Sequence, residues 1–269
     1  MVISFIHFLN AVPLGWGFLK GSCLRGVRLL SDAPSECARH LSTGEADVGL
    51  IPVIEYQRIP GLKVLPSLSI SAKHEARSVL FVSKVPLHRV TRIAVDSSSR
   101  TSAALLRIIL TEFHRLDQPA LEVVSPDPER MLAEYDAALL IGNPALSLSR
   151  HGLRVYDLAG EWRRHTGLPF VFAFWAAREP VDMTDHARLF YRSLEEGLAE
   201  MDTICRIYSE RVGIPAEEIR RYLLRNLDYT LDEANYRGLM EFYAMAARLG
   251  LIQQVNQIQY CAVSHGNPP

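Results

Sequence analysis

The chain is 269 residues long, enough for one large domain or two modest ones. Apolar residues make up 48% and charged residues 22%, a balance that supports a sizeable buried core. The 29 basic side chains nearly cancel the 30 acidic ones, so no broad charge argues for nucleic acid or a membrane as partner, and an anionic ligand must be held by locally placed donors.

Met1 runs directly into Val2-Ile3-Ser4-Phe5-Ile6, with no basic n-region and no small-residue cleavage site. Apolar runs such as 168–177 fall short of the about 20 residues that span a bilayer. Cys23, Cys37, Cys205 and Cys261 show no CxxC or Cys/His ligand spacing and read as buried free thiols. A cytoplasmic protein is the expectation. Oligomeric state is left open, a homodimer included.

Along the chain, Val2–Leu9 reads as a strand ending in a loop at Asn10-Ala11-Val12-Pro13. Val27–Leu30 is a short strand, and Asp32 with Pro34 marks a helix start that Gly44 stops. Asp47–Val53 reads as a buried parallel strand, with further strands at Leu62–Leu68 and Ser78–Val82. A second unit follows: a strand at Arg92–Val95, a polar turn at Ser97–Ser102, and a helix over Ala103–Phe113. Strands at Leu121–Val124, Ala137–Ile141 and Phe170–Ala176 continue it. From Thr184 the chain turns helical, Pro215 opens one helix, and these helices are expected to pack on the first unit. The Pro-rich end, Gly266–Pro269, reads as a frayed tail.

Strands alternating with helices imply mainly parallel sheets covered by crossover helices. The predicted fold class is therefore α/β, in two lobes with a ligand cleft between them. The expected division is 1–87 plus 178–269 for lobe 1 and 88–177 for lobe 2. Chain crossings then fall near 84–91 and 175–182.

The turn Asp96-Ser97-Ser98-Ser99-Arg100-Thr101-Ser102 lies after a strand and before an apolar helix. Unpaired N–H groups and the helix dipole favour an anion there, and the hydroxyls add donors, although Ser and Thr also cap helices without any ligand. Asn10 ends a strand where its amide could both donate to and accept from a substrate hydroxyl, or simply form a turn before Pro13. Gly142-Asn143 ends another strand with the same two readings. The nine histidines show no HExxH or other metal spacing and read as solvated groups, and no GxSxG elbow or Walker loop is present.

Four segments taken together are more specific. These are Phe5-Ile6-His7-Phe8-Leu9-Asn10-Ala11-Val12-Pro13-Leu14-Gly15-Trp16-Gly17, Ser97–Ser102, Leu140-Ile141-Gly142-Asn143-Pro144-Ala145-Leu146 and Thr166-Gly167-Leu168-Pro169-Phe170-Val171-Phe172-Ala173. In order and spacing they resemble the chorismate dehydratase family of menaquinone biosynthesis by the futalosine route. The resemblance covers about residues 1–180 well and the helical tail more loosely. It implies a periplasmic-binding-protein-like fold of type II used as an enzyme, with chorismate as small-molecule partner. The implied reaction removes water to give 3-[(1-carboxyvinyl)oxy]benzoate, with no cofactor and no metal.

Carried over by motif, Asn10 and Ser78 are the implied catalytic residues. Ser99, Arg100, Thr101, Ser102, Gly142 and Asn143 are the implied substrate-binding residues. Two departures stand out: family members commonly carry Asp where Asn143 stands, and Pro52-Val53-Ile54-Glu55-Tyr56 lacks the serines often found before that Glu-Tyr pair. Two alternatives remain, a non-catalytic solute-binding protein for a small carboxylate and the sister enzyme, 1,4-dihydroxy-6-naphthoate synthase. The first predicts an export signal, and the second a proton-abstracting His near the cleft.

Overall fold

The computed structural model describes residues 1–116 and 119–263, so Gly266–Pro269 lie outside the described residues. The chain begins β1 (Val2–Ile6), α1 (Val12–Lys20), β2 (Arg28–Asp32), α2 (Pro34–Thr43) and β3 (Val48–Pro52), with β1 parallel to both β2 and β3. A short α3 (Val53–Tyr56) and the long β4 (Leu62–Ala72) complete this part.

A second sheet takes β5 (Val79–Ser83), β6 (Arg92–Asp96), β7 (Ala120–Val124), β8 (Ala137–Ile141) and β9 (Arg154–Asp157) in the order β7-β6-β8-β5-β9. Its helices are α4 (Thr101–Ile108), which continues as a π-turn over Ile109–Phe113, then α5 (Pro128–Glu134), α6 (Gly142–Ser147) and α7 (Leu158–Thr166). The chain returns through β10 (Phe170–Arg178) to α8 (Ala187–Ala199), α9 (Met201–Val212), α10 (Ala216–Arg221), β11 (Asp228–Thr230) and α11 (Glu233–Arg248). The first sheet then reads β11-β4-β10-β3-β1-β2.

Two expectations are corrected here. β5 belongs to the second sheet and β10 to the first, so the chain crosses at 73–78 and 167–169, not near 84–91 and 175–182. The expected lobe limits at 87/88 and 177/178 shift accordingly. Both crossing strands are apolar up to their last residues, Ser83 and Arg178, and nothing in such a run says which sheet it joins. Each also runs against its neighbours: β5 is antiparallel to β8 and β9, and β10 to β3 and β4. Both sheets are therefore mixed rather than mainly parallel.

The segment after Asn10, expected as a loop, is a 3₁₀ turn at Leu9–Ala11 running into helix α1. Pro13 sits in the first helical turn, where a missing N–H costs nothing. Gly15 is there for packing, because a Cβ on it would lie 2.3 Å from the Phe5 ring. That ring stacks on Trp175 at 5.9 Å, and Phe190 of α8 meets both Trp175 (4.9 Å) and Phe18 (5.1 Å). Each fully buried ring of this kind contributes roughly 1.5–3 kcal/mol.

Sheet two is buried on both faces. Along β5, Val79 and Phe81 join the large core between the sheets while Leu80 and Val82 join a smaller cluster with Met131 and Tyr135. This is the period of two that an extended strand imposes, and it explains why β8 is apolar at all of its positions. The four cysteines are free and buried, and burial pushes the Cys37 thiol up to about 12. Among the described residues, no helix is long and apolar enough to cross a membrane.

Candidate active site

The carboxyl ends of β1, β3 and β8 and the amino ends of β5 and β10 meet at a cleft that encloses about 460 Å³ of space open to solvent. From the first sheet's side come Ile6, Phe8, Asn10, Pro34, Pro52, Ile70, Phe172 and Ala173. From the second come Val79, Ile141, Gly142 and the continuous run Ser98–Ser102. Apolar side chains thus form most of the wall, and the polar groups cluster at two places.

One cluster is the start of α4. The first N–H groups of a helix have no intrahelical acceptor, so this end offers donors and the positive pole of the helix dipole. The turn before it is rigid: Asp96 Oδ1 accepts from both the N–H (2.8 Å) and the hydroxyl (2.6 Å) of Ser98, and Ser99 N–H donates to Asp96 O at 2.9 Å. The Ser99 hydroxyl is buried at the cleft with no partner in the chain, which leaves it free for a ligand. Thr101 Oγ1 accepts from Ile54 N–H at 3.3 Å, which ties the turn to α3 of the other side. Arg100 is exposed at the rim and is the one charged side chain among the described lining residues.

The second cluster is Asn10, in the 3₁₀ turn that follows β1. Its Oδ1 is buried, lies in the cleft wall and has no partner in the chain. A buried acceptor without a donor costs about 1–3 kcal/mol, so it is placed for a donor that arrives with a ligand. Among the described residues, no Asp, Glu, His or Cys side chain lines the cleft.

Two expected residues are placed differently. Ser78, in the bend just before β5, is buried but does not line the cleft; its side chain lies near the buried Tyr222 hydroxyl. Its carbonyl accepts from Gly142 N–H at 2.9 Å. The Asn143 side chain is also absent from the wall; its Oδ1 accepts from Leu9 N–H at 3.1 Å and joins the two sides of the cleft. Gly142 does line the cleft, at φ +64, where a Cβ would lie 2.6 Å from the Phe8 ring.

Asp96 carries a role the sequence did not assign. It is fully buried behind the turn, and desolvation raises its carboxyl above the ordinary range despite hydrogen bonds from Ser98 and from the Ile141 N–H. A Ser–His–Asp grouping elsewhere has a different character: Ser4 donates to Asp32 Oδ2 at 2.6 Å beside His40, but Ser4 is 0% exposed and reaches no substrate.

Residues 1–248 match the model of a family described as menaquinone biosynthesis. A curated chorismate dehydratase from Thermus thermophilus is 30% identical over 93% of this chain and 95% of its own length. Among solved structures, protein AF1704 from Archaeoglobus fulgidus superposes with a TM-score of 0.74 at 18% identity, covering 93% of this chain and 98% of that one. The alkanesulfonate-binding protein SsuA from Xanthomonas axonopodis pv. citri, bound to MOPS, does so with a TM-score of 0.67 at 13% identity, covering 96% and 94%. These structures share the periplasmic-binding-protein-like architecture with this chain.

Proposed function

The chain belongs to the menaquinone biosynthesis family, and from that membership we propose that it is a chorismate dehydratase, an enzyme of the hydro-lyase class. It converts chorismate to 3-[(1-carboxyvinyl)oxy]benzoate and water. The observation that carries the reading is the cleft itself: an orphaned Asn10 amide oxygen on one wall and a partner-free Ser99 hydroxyl beside a helix start on the other. Chorismate presents a ring hydroxyl to the first and carboxylates to the second.

The reaction needs a C–H proton to leave the ring carbon bearing the ether and hydroxide to leave its neighbour. The C–H electron pair becomes ring π density, the C–O bond breaks, and hydroxide leaves with the proton as water. In a stepwise course the ring carboxylate delocalises the charge left by the proton. Ser99, Thr101, Ser102 and Arg100 hold carboxylates, so donors already in place meet charge as it develops. Asn10 orients the departing hydroxyl.

Among the described residues the wall offers no Asp, Glu, His or Cys side chain as a base, which supports the substrate's own enolpyruvyl carboxylate as proton acceptor. The same wall disfavours the sister synthase, which calls for a His at the cleft. Purified protein incubated with chorismate should yield an aromatic product one water lighter by mass detection. Unchanged chorismate beside a folded protein would end this reading.

A further inference from the structure

Away from the cleft, three ligating groups converge between the π-turn that extends α4 and the end of α7. His114 closes the π-turn, its N–H donating to Ile109 O at 3.0 Å. Glu161 and His165 lie four residues apart on α7 and so share one helix face. Glu161 Oε2 sits 3.2 Å from His114 Nε2 and 3.9 Å from His165 Nε2, and all three ligand atoms lie within 4.8 Å of one another. Bonds of about 2.0–2.2 Å to a tetrahedral zinc ion place ligand atoms about 3.3–3.6 Å apart, so these separations need only small side-chain adjustments.

We propose that His114, Glu161 and His165 form a binding site for a zinc-class divalent cation, distinct from the cleft. Two imidazoles and one carboxylate are a familiar zinc donor set, with a fourth position for water on the half-exposed His side. The donors are held in advance. The Phe113 ring stacks on His165 at 4.4 Å and 11°, and the Glu161 side chain is 4% exposed. Arg164 occupies only the other carboxylate oxygen, Oε1, at 2.7 Å, and at 70% exposure it is free to swing out as the ion enters.

The location gives the ion a structural consequence. α4 begins at the carboxylate-binding turn and its π extension ends at His114, while His165 immediately precedes the crossing at 167–169. The ion therefore staples the far end of the substrate-holding helix to the base of the connection between the two sheets.

The test is calorimetric titration of Zn²⁺ into chelator-stripped, full-length protein, with thermal melts in parallel. One ion per chain is expected, with a rise in melting temperature, and at least about tenfold weaker binding in His114→Ala and in His165→Ala. Both side chains are partly exposed, at 25% and 31%, so both variants should stay folded, and turnover of chorismate should be little changed. Absence of saturable one-to-one binding, or binding unchanged in both histidine variants, would overturn the site.

Discussion

At the scale of single residues, the cleft divides its labour between a donor turn and one amide, and each part has its own signature on substitution. In the proposed site Ser99→Ala removes the partner-free hydroxyl that would meet a substrate carboxylate, an interaction worth about 1.5–3 kcal/mol when the acceptor is charged. Its KM for chorismate should rise about tenfold or more, with a smaller change in kcat, in steady-state assays. Gly142→Ala forces a Cβ into the left-handed region, at about 1–2 kcal/mol, and into the Phe8 ring. Both a lower denaturation midpoint and a raised KM are expected, and a variant indistinguishable from wild type in both would count against the Phe8–Gly142 contact. Asp96 supplies a pH dependence. Burial raises its carboxyl, so the folded chain keeps that proton to higher pH than the unfolded chain does. The stability this confers is complete below the ordinary value of 3.8 and is lost as pH rises through the raised folded value. Asp96→Asn does not suffer that loss, so urea melts at pH 4 and pH 7 should show the variant gaining on wild type at the higher pH.

At the scale of elements, what was legible in the sequence is what local chemistry decides. β8 is legible from its apolar run alone, and α2 from Pro34 at its start and Gly44 at its stop, which sits at φ +83. Helix α1 was not legible, because Pro13, Gly15 and Gly17 look like breakers until their neighbours are known. Gly15 makes room for Phe5, and Gly17 lies against Ser193 and Cys23. The same logic gives a test at Gly197 of α8, where a Cβ would lie 2.2 Å from Pro13 O. Gly197→Ala should lower stability by about 1–3 kcal/mol in urea titrations, as an overpacked helix contact does, while an unchanged midpoint would mean α1 and α8 separate easily. The site was legible in the same measure. Asn10 and the Ser97–Ser102 turn can be read from the sequence as candidates because strand ends and helix starts are local features, and Asn10 and Ser98–Ser102 do line the cleft. The place of Ser78 is not legible, since it depends on how the bend before β5 turns in the folded chain. The Asn143–Leu9 bond joins residues 134 apart, and the meeting of His114 with Glu161 and His165 needs the folded α7 to be seen.

At the scale of the whole molecule, two mixed sheets are joined by two chain crossings, and the cleft is lined from both of them. The bonds Leu9 N–H to Asn143 Oδ1 and Ile54 N–H to Thr101 Oγ1 hold its walls together. Asn143→Ala should therefore favour a more open chain, seen as a larger radius of gyration by small-angle scattering, with chorismate restoring the smaller value; identical scattering with and without the side chain would remove Asn143 as a latch. The central claim is that this cleft dehydrates chorismate with Asn10 at the leaving hydroxyl. Single-turnover conversion of chorismate by wild type and Asn10→Ala, followed by mass detection, tests it most directly. Wild type should form the product one water lighter, while Asn10→Ala binds chorismate and forms it about 100-fold or more slowly, as for loss of a group that acts in the transition state. Unchanged chorismate with wild type, or an undiminished rate with Asn10→Ala, would contradict it.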